Sequence, residues 1–307
     1  MNESAASSLA GALLSWHERH GRAQLPWRTE RTPYRTVVSE FMLQQTQVER
    51  VVPIFERFVA AFDSFAALAA APRAEAVRLW RGLGYNSRAV RLHRLAIVVC
   101  DRFAGSLPRD EATLLTLPGV GPYTARAILA FAFDADVVAL DTNIRRVVHR
   151  ACFGLEYPPL ARDDELDARA TRLLPPGRGF AYNSALMDLG ATVCTSRTPR
   201  CLVCPLLHGC AAAPVDGAQL ADLAARHARP RSPQQRIPFE RSTRFVRGRI
   251  IDRLRLLGPH ERVSLLELGR DLEATVENLE SGVLLNILHK LASDGVVEQD
   301  GAGVRLA

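Results

Sequence analysis

The sequence predicts a mostly α-helical protein that carries a small α+β unit in its carboxy-terminal part. Apolar residues recur at helical spacing over most of residues 1–212. Alternation of β-branched and polar residues, which is typical of strands, is scarce in the same region. Two short strand-like segments occur only near residue 300, on either side of Asp300-Gly301, a dipeptide that favours a hairpin turn.

The composition is that of a folded protein with a basic charge balance. The chain has 307 residues, 48% of them hydrophobic and 23% charged, so a substantial core is expected and wholesale disorder is not. The net charge of +6 favours a polyanionic partner such as nucleic acid but does not require one. Residues 1–14 lack the features of a secretory signal, and no stretch is apolar enough to span a membrane. We therefore expect a cytoplasmic protein.

Helices are expected throughout the first 212 residues. Apolar residues between Leu9 and Trp16 predict an amphipathic opening helix, and Pro26 and Pro33 then interrupt the chain. The periodic apolar residues from Thr36 to Phe62 predict helix over that whole stretch. By the same pattern, further helices are predicted at 64–70, 73–81, 86–104, 110–116, 122–133, 141–153, 163–174 and 179–192.

The chain changes character after residue 212. Residues 213–237 are predicted to be a linker, because prolines and polar residues accumulate towards its end. Residues 238–307 form a separate predicted domain with three helices, Arg244–Leu257, Leu265–Leu272 and Val276–Ser293, followed by the hairpin. This is the plan of a winged helix. The winged helix occurs in nucleic-acid readers and in protein-interaction modules, and the sequence leaves both roles open.

Four of the six cysteines crowd into a short segment: Cys194, Cys201, Cys204 and Cys210. In a reduced compartment such a group indicates a metal site rather than disulfides. Zinc accepts four cysteines, usually as two C-x2-C pairs, but only one such pair is present here. The 6-2-5 spacing differs from that of ferredoxins and resembles the iron–sulfur loop of the endonuclease III and MutY glycosylases. The resemblance implies a [4Fe–4S] cluster, with zinc as the alternative.

The segment from Leu117 to Thr124, LPGVGPYT, lies between two predicted helices. Gly119 and Gly121 permit tight backbone geometry, and Val120 separates them. The following helix begins near Pro122 and points its positive end at the same place. The pattern predicts a helix-hairpin-helix that binds DNA phosphates without sequence specificity, with an ordinary αα-corner as the alternative.

Asp141 follows an apolar run at the start of another predicted helix, and by itself it reads as an N-cap. The order of hairpin, aspartate and cysteine loop resembles the helix-hairpin-helix glycosylase superfamily over about residues 8–212. The resemblance implies two all-α lobes: a six-helix barrel at 29–137, and a cluster lobe formed by 1–28 and 138–212. It also implies that double-stranded DNA binds between the lobes with the target base flipped out.

The segment from Ser39 to Val48, SEFMLQQTQV, resembles the signature of the MutY family of adenine DNA glycosylases. The resemblance implies that Glu40 is a general acid at adenine N7, a role that requires a pKa raised by burial. It implies that Asp141 stabilises the oxocarbenium-like sugar or attacks it to form a transient covalent intermediate. The remaining implied positions are Asn143 and Tyr123, which orient Asp141 and line the adenine pocket, and the substrate-pocket residues Trp27, Leu43 and Asp188. For Trp27 a plain core role is the alternative.

Two further loops match family positions that insert into the duplex. Gln45 and Thr46 correspond to residues that touch the base opposite the excised one. Leu83 and Tyr85 correspond to a second wedge loop on the same side. A ring or amide in the gap offsets part of the cost of unstacking bases.

Lysine usage separates branches of the superfamily. The bifunctional lyases resembling endonuclease III have a catalytic lysine where this chain has Tyr123, and Lys290 is the only lysine in the sequence. A lysine Schiff base is therefore not expected in the lobes, and the enzyme should hydrolyse the glycosidic bond and stop there.

The chain also departs from the MutY pattern. The family more often has D-G-N where this chain has Asp141-Thr142-Asn143, a variant shared with thymine–guanine mismatch glycosylases. Asn86 replaces the usual second tyrosine of the wedge motif, and the winged-helix-like unit stands where a Nudix-like domain is usual. We expect a monomeric nucleoid enzyme that removes adenine opposite 8-oxoguanine or guanine. The alternatives are a thymine or uracil–guanine mismatch glycosylase and a non-catalytic iron–sulfur DNA-binding regulator.

Overall fold

The computed structural model describes residues 3–228, 238–273, 276 and 281–307. These residues are mostly helical, as predicted. None of the helices described there is long and apolar enough to cross a membrane. The elements are α1 (Glu3–His20), α2 (Pro26–Thr29), α3 (Pro33–Leu43), α4 (Val48–Ala61), α5 (Phe65–Ala70), α6 (Arg73–Leu79), α7 (Ser87–Phe103), α8 (Glu111–Leu114), α9 (Pro122–Phe133), α10 (Thr142–Cys152), α11 (Asp163–Leu173), α12 (Gly179–Thr192), α13 (Gly217–Arg226), α14 (Thr243–Leu254), α15 (Leu265–Glu273), α16 (Ser281–Ser293), β1 (Val297–Asp300) and β2 (Gly303–Leu306).

The chain forms two compact units. The first comprises Met1–Val37, Pro108–Thr116 and Val120–Arg229, and the second comprises Val38–Leu107, Leu117–Gly119 and Pro230–Ala307. These groupings differ from the predicted lobes, because α8 and α9 belong to the first unit and α14–α16 belong to the second. The predicted linker is not free of structure, since α13 occupies part of it. Residues 229–237 of that linker lie outside the described residues.

The core of the first unit is built around α10. Ile144, Val147, Val148 and Ala151 recur at helical spacing, and all four side chains are buried. They pack with apolar residues of α1 and α12 in one continuous cluster. Partly buried cysteines border this cluster, which brings the cysteine loop against the same core.

The second unit is organised around α7, which packs against α5 and α6. Leu92, Leu95, Ala96 and Val99 on one face of α7 have no exposed surface. The indole of Trp80 is also fully buried, against the ring of Phe58 and the guanidinium of Arg88. This packing fixes the start of α7, where the residues that hold the predicted wedge loops are found.

The expected helix from Thr36 to Phe62 is wrong in its middle, because α3 ends at Leu43 and α4 begins at Val48. Nη1 of Arg88 donates hydrogen bonds to the carbonyl oxygens of Phe41 at 2.9 Å and Met42 at 3.0 Å. In a continuous helix these oxygens would accept from amides four residues later. The side chain of a distant arginine therefore caps α3 and releases the following residues as a loop.

The carboxy-terminal part of the second unit has the predicted plan of three helices and a hairpin. Strands β1 and β2 pair antiparallel, with Val297 opposite Leu306 and Asp300 opposite Gly303, which confirms the hairpin. Val263 adds an isolated antiparallel bridge to Val304. Helix α16 begins at Ser281, and most of its predicted first turn, 277–280, lies outside the described residues.

Candidate active site and cysteine loop

Asp141 is the N-cap of α10 and uses its two carboxylate oxygens differently. Oδ1 accepts a hydrogen bond from the backbone N–H of Ile144 at 2.7 Å, which is the expected capping contact. Oδ2 accepts from Nδ2 of Asn143 at 3.1 Å. Capping fixes the position of the carboxylate, and Asn143 fixes its orientation.

Arg146 in turn holds Asn143. Its Nη2 donates to Oδ1 of Asn143 at 2.9 Å and to the carbonyl oxygen of Gly190 at 2.8 Å. Its Nε donates to the carbonyl oxygen of Cys194 at 2.8 Å. A Cβ on Gly190 would lie 2.8 Å from Cβ of Asn143, so the close approach of α12 to α10 requires glycine there. Arg146 and Gly190 were not predicted from the sequence; the spacing of Arg146 three residues after Asn143, on one helix face, is the signal that could have identified Arg146.

Asp141 is buried enough for its ionisation to be affected. Burial raises the pKa of the Asp141 carboxyl above its ordinary value, although hydrogen bonds from Ile144 and Asn143 and the charge of Arg146 act in the opposite direction. Asp141 nevertheless remains partly accessible to solvent. A partly accessible, oriented carboxylate can stabilise a developing positive charge.

Glu40 lies in α3, in the second unit, and only 7% of it is exposed. Its neighbour Ser39 is also buried. The signature segment therefore places its carboxyl group inside the fold rather than on a solvated helix face. Withdrawal from bulk water is the condition that the general-acid role requires.

The two predicted wedge loops each contain a residue with a left-handed backbone. Gln45 has a φ of 55° and Tyr85 a φ of 47°, conformations that cost free energy for residues other than glycine. Gln45 is exposed, and Tyr85 has 45% of its surface exposed. Leu83 differs from the expectation, because it is only 4% exposed and packs into the interior. Tyr85, and not the side chain of Leu83, is available to a ligand.

The side chain of Arg88 forms hydrogen bonds with both of these loops. Besides capping α3, its Nη2 donates to Oγ1 of Thr46 at 3.1 Å and to the carbonyl oxygens of Leu83 at 3.2 Å and Gly84 at 3.3 Å. Burial lowers the pKa of Arg88 to about 10, so it remains charged at neutral pH. Arg88 could not be predicted from the sequence, because its partners are mainly backbone oxygens, several of them distant in sequence.

The glycine turn matches the predicted hairpin in part. Gly119 has a φ of 81°, and a Cβ there would lie 2.9 Å from the ring of Phe41, so both conformation and space require glycine. Gly121 is the N-cap of α9, and a Cβ there would meet nothing within 4 Å. That open space leaves room for a phosphate at the helix N-terminus. Val120 has a buried side chain, so only its backbone is available there.

Of the remaining predicted residues, Asp188 has a different environment from the one expected. Its side chain is 1% exposed and lies 2.7 Å from Nη1 of Arg28, 2.8 Å from Nη2 of Arg22 and 3.3 Å from Nε2 of His17. Burial alone would raise its pKa, but these partners hold it well below its usual range. The geometry assigns Asp188 to an internal ion-pair group rather than to a pocket wall.

The other residues predicted to line the substrate pocket are half-buried. They are Trp27 in α2, Leu43 at the end of α3 and Tyr123 in the first turn of α9.

None of the six cysteines forms a disulfide. Burial raises the pKa of the Cys204 thiol to about 11, and the nearby thiols of the other three loop cysteines add to the shift. Nη1 of Arg150 lies 3.6 Å from Sγ of Cys194, and the backbone N–H of Val215 lies 3.5 Å from Sγ of Cys201. Four soft ligands with N–H donors at two sulfurs fit an iron–sulfur cluster. In the described ranges, no three His, Cys, Asp or Glu side chains converge closely enough to hold a single metal ion.

Arg150 ties this loop to α10. Its side chain is 1% exposed, and its guanidinium pairs with Glu156 and donates to the carbonyl oxygens of Thr195 at 2.7 Å and Ser196 at 3.1 Å. Arg146 and Arg150 therefore lie one turn apart on α10 and both bind the start of the cysteine loop. The same helix carries Asp141 at its N-terminus.

Known proteins similar in sequence or structure identify the family to which this chain belongs. Residues 38–175 match the model of the HhH-GPD superfamily of base excision DNA repair proteins. The chain is 49% identical over 197 residues to the adenine DNA glycosylase of Mycolicibacterium smegmatis, covering 64% of this chain and 67% of that one. It is 42% identical over 253 residues to the adenine DNA glycosylase of Mycobacterium tuberculosis, covering 79% and 77%. Among solved structures, a thermostable thymine-DNA glycosylase is similar with a TM-score of 0.62 and 31% identity, covering 67% of this chain and 95% of that one. The chain therefore belongs to the HhH-GPD superfamily of base excision DNA repair proteins.

Proposed function

We propose that this chain is a monofunctional adenine DNA glycosylase that removes adenine opposite 8-oxoguanine or guanine in double-stranded DNA. The observation that carries the proposal is the burial of Glu40 inside the segment that resembles the adenine glycosylase signature. The similarity to two relatives named adenine DNA glycosylases supports the same substrate.

In the proposed reaction, protonated Glu40 donates its proton to N7 of a flipped adenine. The bond from N9 to C1′ then breaks, and its electron pair leaves with the base. Asp141 acts on the sugar rather than on the base. Its carboxylate stabilises the positive charge that develops on the sugar, or it forms a bond to C1′ that water later breaks. Water supplies the hydroxyl at C1′, and its remaining proton returns to the Glu40 carboxylate, so the products are free adenine and an abasic site and the enzyme is restored. Asn143 and Arg146 keep the carboxylate in the orientation that this step needs.

Strand cleavage is not part of the proposed activity. The only lysine of the chain is Lys290, in α16 of the carboxy-terminal part, and Tyr123 occupies the position after the hairpin where related lyases have lysine. Without an amine near C1′ no Schiff base forms, so the abasic site remains intact until alkali is added.

We further propose that Cys194, Cys201, Cys204 and Cys210 hold a [4Fe–4S] cluster. When bound, such a cluster would supply four metal–sulfur bonds that fix the loop, and its chemistry is not required for hydrolysis. The loop is in turn bound to α10 by Arg146 and Arg150. The cysteine loop thereby supports α10, the helix whose N-terminus is capped by Asp141.

The proposal is tested with labelled duplexes that contain A opposite 8-oxoguanine, A opposite G, T opposite G or U opposite G. Each is incubated with the purified protein and analysed with and without hot alkali. We expect cleavage only at adenine and only after alkali. Cleavage without alkali would contradict the monofunctional mechanism, and no cleavage of any duplex would favour the DNA-binding regulator.

A second candidate is removal of thymine or uracil opposite guanine. It is favoured by the 31% identity to a thymine-DNA glycosylase and by Thr142 between Asp141 and Asn143. Cleavage of the T–G or U–G duplex in place of the adenine duplexes would select this function while leaving the roles of Asp141 and Asn143 unchanged.

A further inference from the structure

The wedge loop Gly82–Asn86 has an unusual backbone that needs external support. Gly82, Gly84 and Tyr85 all have positive φ values, of 98°, 69° and 47°. A tyrosine that has a left-handed backbone and is 45% exposed persists only where the surroundings hold it. Arg88 supplies part of that support through the carbonyl oxygens of Leu83 and Gly84.

The carboxy-terminal part of the same unit supplies the rest. Nη2 of Arg255, just after α14, donates to Oδ1 of Asn86 at 2.8 Å and to the carbonyl oxygen of Val77 at 3.0 Å. The Arg255 side chain is only 9% exposed, and Asp252 fixes it further at 2.9 Å. A buried guanidinium that bridges α6 and the end of the loop is a rigid anchor.

A second arginine, Arg244 in the first turn of α14, contacts the ring of Tyr85 itself. The guanidinium of Arg244 lies over the ring of Tyr85, 4.9 Å from its centroid. Arg244 is exposed, so both groups of this cation–π pair face solvent. The ring is thereby held at the surface in one place, and a positive charge stands beside it.

The attachment of the carboxy-terminal part to α6 does not depend on Arg255 and Arg244 alone. Nη2 of Arg78 donates to the carbonyl oxygen of Leu257 at 2.7 Å, and Nη1 of Arg73 donates to that of Gly295 at 3.3 Å. Gly295 has a φ of 70°, and a Cβ there would lie 2.6 Å from Nη2 of Arg94. The carboxy-terminal part is therefore docked on α6, next to the loop, by several independent contacts.

We propose that residues 238–307 act as a positioning element for the wedge loop, with Arg255 anchoring Asn86 and Arg244 supporting Tyr85, and so take part in selecting the base opposite the excised one. This inference rests on the proposed glycosylase function. A ring presented in one fixed position meets the opposite base without first losing conformational freedom, so discrimination between opposite bases depends on how firmly the loop is held.

The kinetic test compares R255M and R244M with R249M. Methionine keeps an apolar stem, and Arg249 is an exposed arginine of the same helix, so R249M controls for the loss of one charge. Single-turnover rates of adenine release are measured opposite 8-oxoguanine, guanine and cytosine. We expect the ratio of rates between preferred and disfavoured opposite bases to fall about tenfold in R255M and R244M and to be unchanged in R249M. If all three substitutions lower this ratio equally, the effect comes from the loss of positive charge alone, and the proposal is overturned.

A second measurement does not depend on activity. Hydrogen exchange of the amides of residues 80–88 is followed in the free, full-length protein. We expect faster exchange there in R255M and in N86A, with a double variant no faster than either, and no change in R249M. Unchanged exchange in R255M would overturn the anchoring contact, and faster exchange with unchanged discrimination would overturn its role in base selection.

The kinetic test and the exchange measurement together distinguish a failure of this inference from a failure of the proposed function. A wild-type protein that releases no adenine would disprove the glycosylase assignment, and with it the role in base selection, while the exchange measurement would still decide whether α14 anchors the loop. Arg255 is buried, so R255M is accepted only if its circular dichroism and thermal unfolding match the wild type. Arg244 is exposed, and R244M tests the same idea without that risk.

Discussion

Nδ2 of Asn143 lies 3.1 Å from Oδ2 of Asp141, while Oδ1 of the same carboxylate caps α10 at the N–H of Ile144. The capping role and the catalytic role proposed for Asp141 are therefore compatible, because each uses a different oxygen. The arrangement also makes the orientation of Asp141 depend on the residue that holds Asn143, which is Arg146.

Replacing Arg146 with methionine should slow base release, although in the proposed reaction Arg146 acts only through Asn143 and does not contact the reacting atoms. Loss of its hydrogen bond frees the Asn143 amide to rotate, and a misoriented carboxylate stabilises the sugar cation less well. We expect single-turnover base release to fall about tenfold or more, with duplex affinity nearly unchanged. R145M is the control, because Arg145 lies next to it on α10 and pairs with Asp163 at the surface. Equal loss in both variants would argue against the orienting role.

Replacing Asp141 with asparagine should separate activity from stability. Asparagine is also a good N-cap, so α10 should remain intact, but the charge that stabilises the sugar is lost. We expect base release to fall by a factor of about 10² to 10³ in single-turnover assays. Activity comparable to the wild type would exclude a catalytic role for Asp141.

The same variant should unfold at a higher temperature than the wild type at neutral pH. The pKa of Asp141 is raised above its ordinary value of 3.8, so the folded state binds this proton more tightly than the unfolded state. The stabilising contribution of Asp141 is therefore complete below 3.8 and is lost as pH rises through the raised pKa. Thermal unfolding of D141N and wild type at pH 7.5 and pH 5 should show a smaller difference at pH 5. A difference that grows at the lower pH would contradict the raised pKa.

Replacing Glu40 with glutamine should abolish base release while leaving duplex binding in place. Glutamine keeps the size of the side chain but has no proton to give to adenine, so the loss should be about a hundredfold or greater. E56Q is the control, because Glu56 is an exposed glutamate of α4 in the same unit. The measurements are single-turnover rates and affinities for a duplex with an uncleavable adenine analogue. A fully active E40Q would disprove the adenine glycosylase mechanism.

Replacing Arg88 with lysine should destabilise the protein and weaken recognition of the mispair. An ammonium group cannot reach the carbonyl oxygens of both loops at once, so buried acceptors near Phe41 and Leu83 lose their partner. We expect the free energy of unfolding to fall by about 2 kcal/mol, measured by urea denaturation. R91K, at an exposed position of α7, should have no effect. A loss of the same size in R91K would show that the two bridged loops are not the cause.

Replacing Cys204 with serine should remove the proposed cluster. We expect the brown visible absorption and the bound iron to be lost, since one of four thiolate ligands is missing. C100S is the control, because Cys100 lies in α7, in the other unit. Iron content by mass spectrometry and the visible spectrum are the readouts. A colourless wild-type protein that contains one zinc ion would favour the zinc alternative.

Much of the fold could be predicted because its determinants are local. The apolar face of α10 and the hairpin at Asp300-Gly301 depend on residues three, four or two positions apart, and such spacings are visible in the sequence. Capping by Asp141 was predictable for the same reason. The break between α3 and α4 was not, because the side chain that causes it belongs to Arg88, more than forty positions away.

By itself the sequence determined which residue types are present and in what order: the signature around Glu40, the aspartate that starts α10, the four cysteines and a single distant lysine. Only the tertiary structure decided which side chains hold them. It placed Asp188 in an internal ion-pair group, buried Leu83 and connected Arg255 to Asn86. The physical reason is that a long arginine side chain is positioned by backbone oxygens and carboxylates from other helices, and these partners become neighbours only when the core has packed.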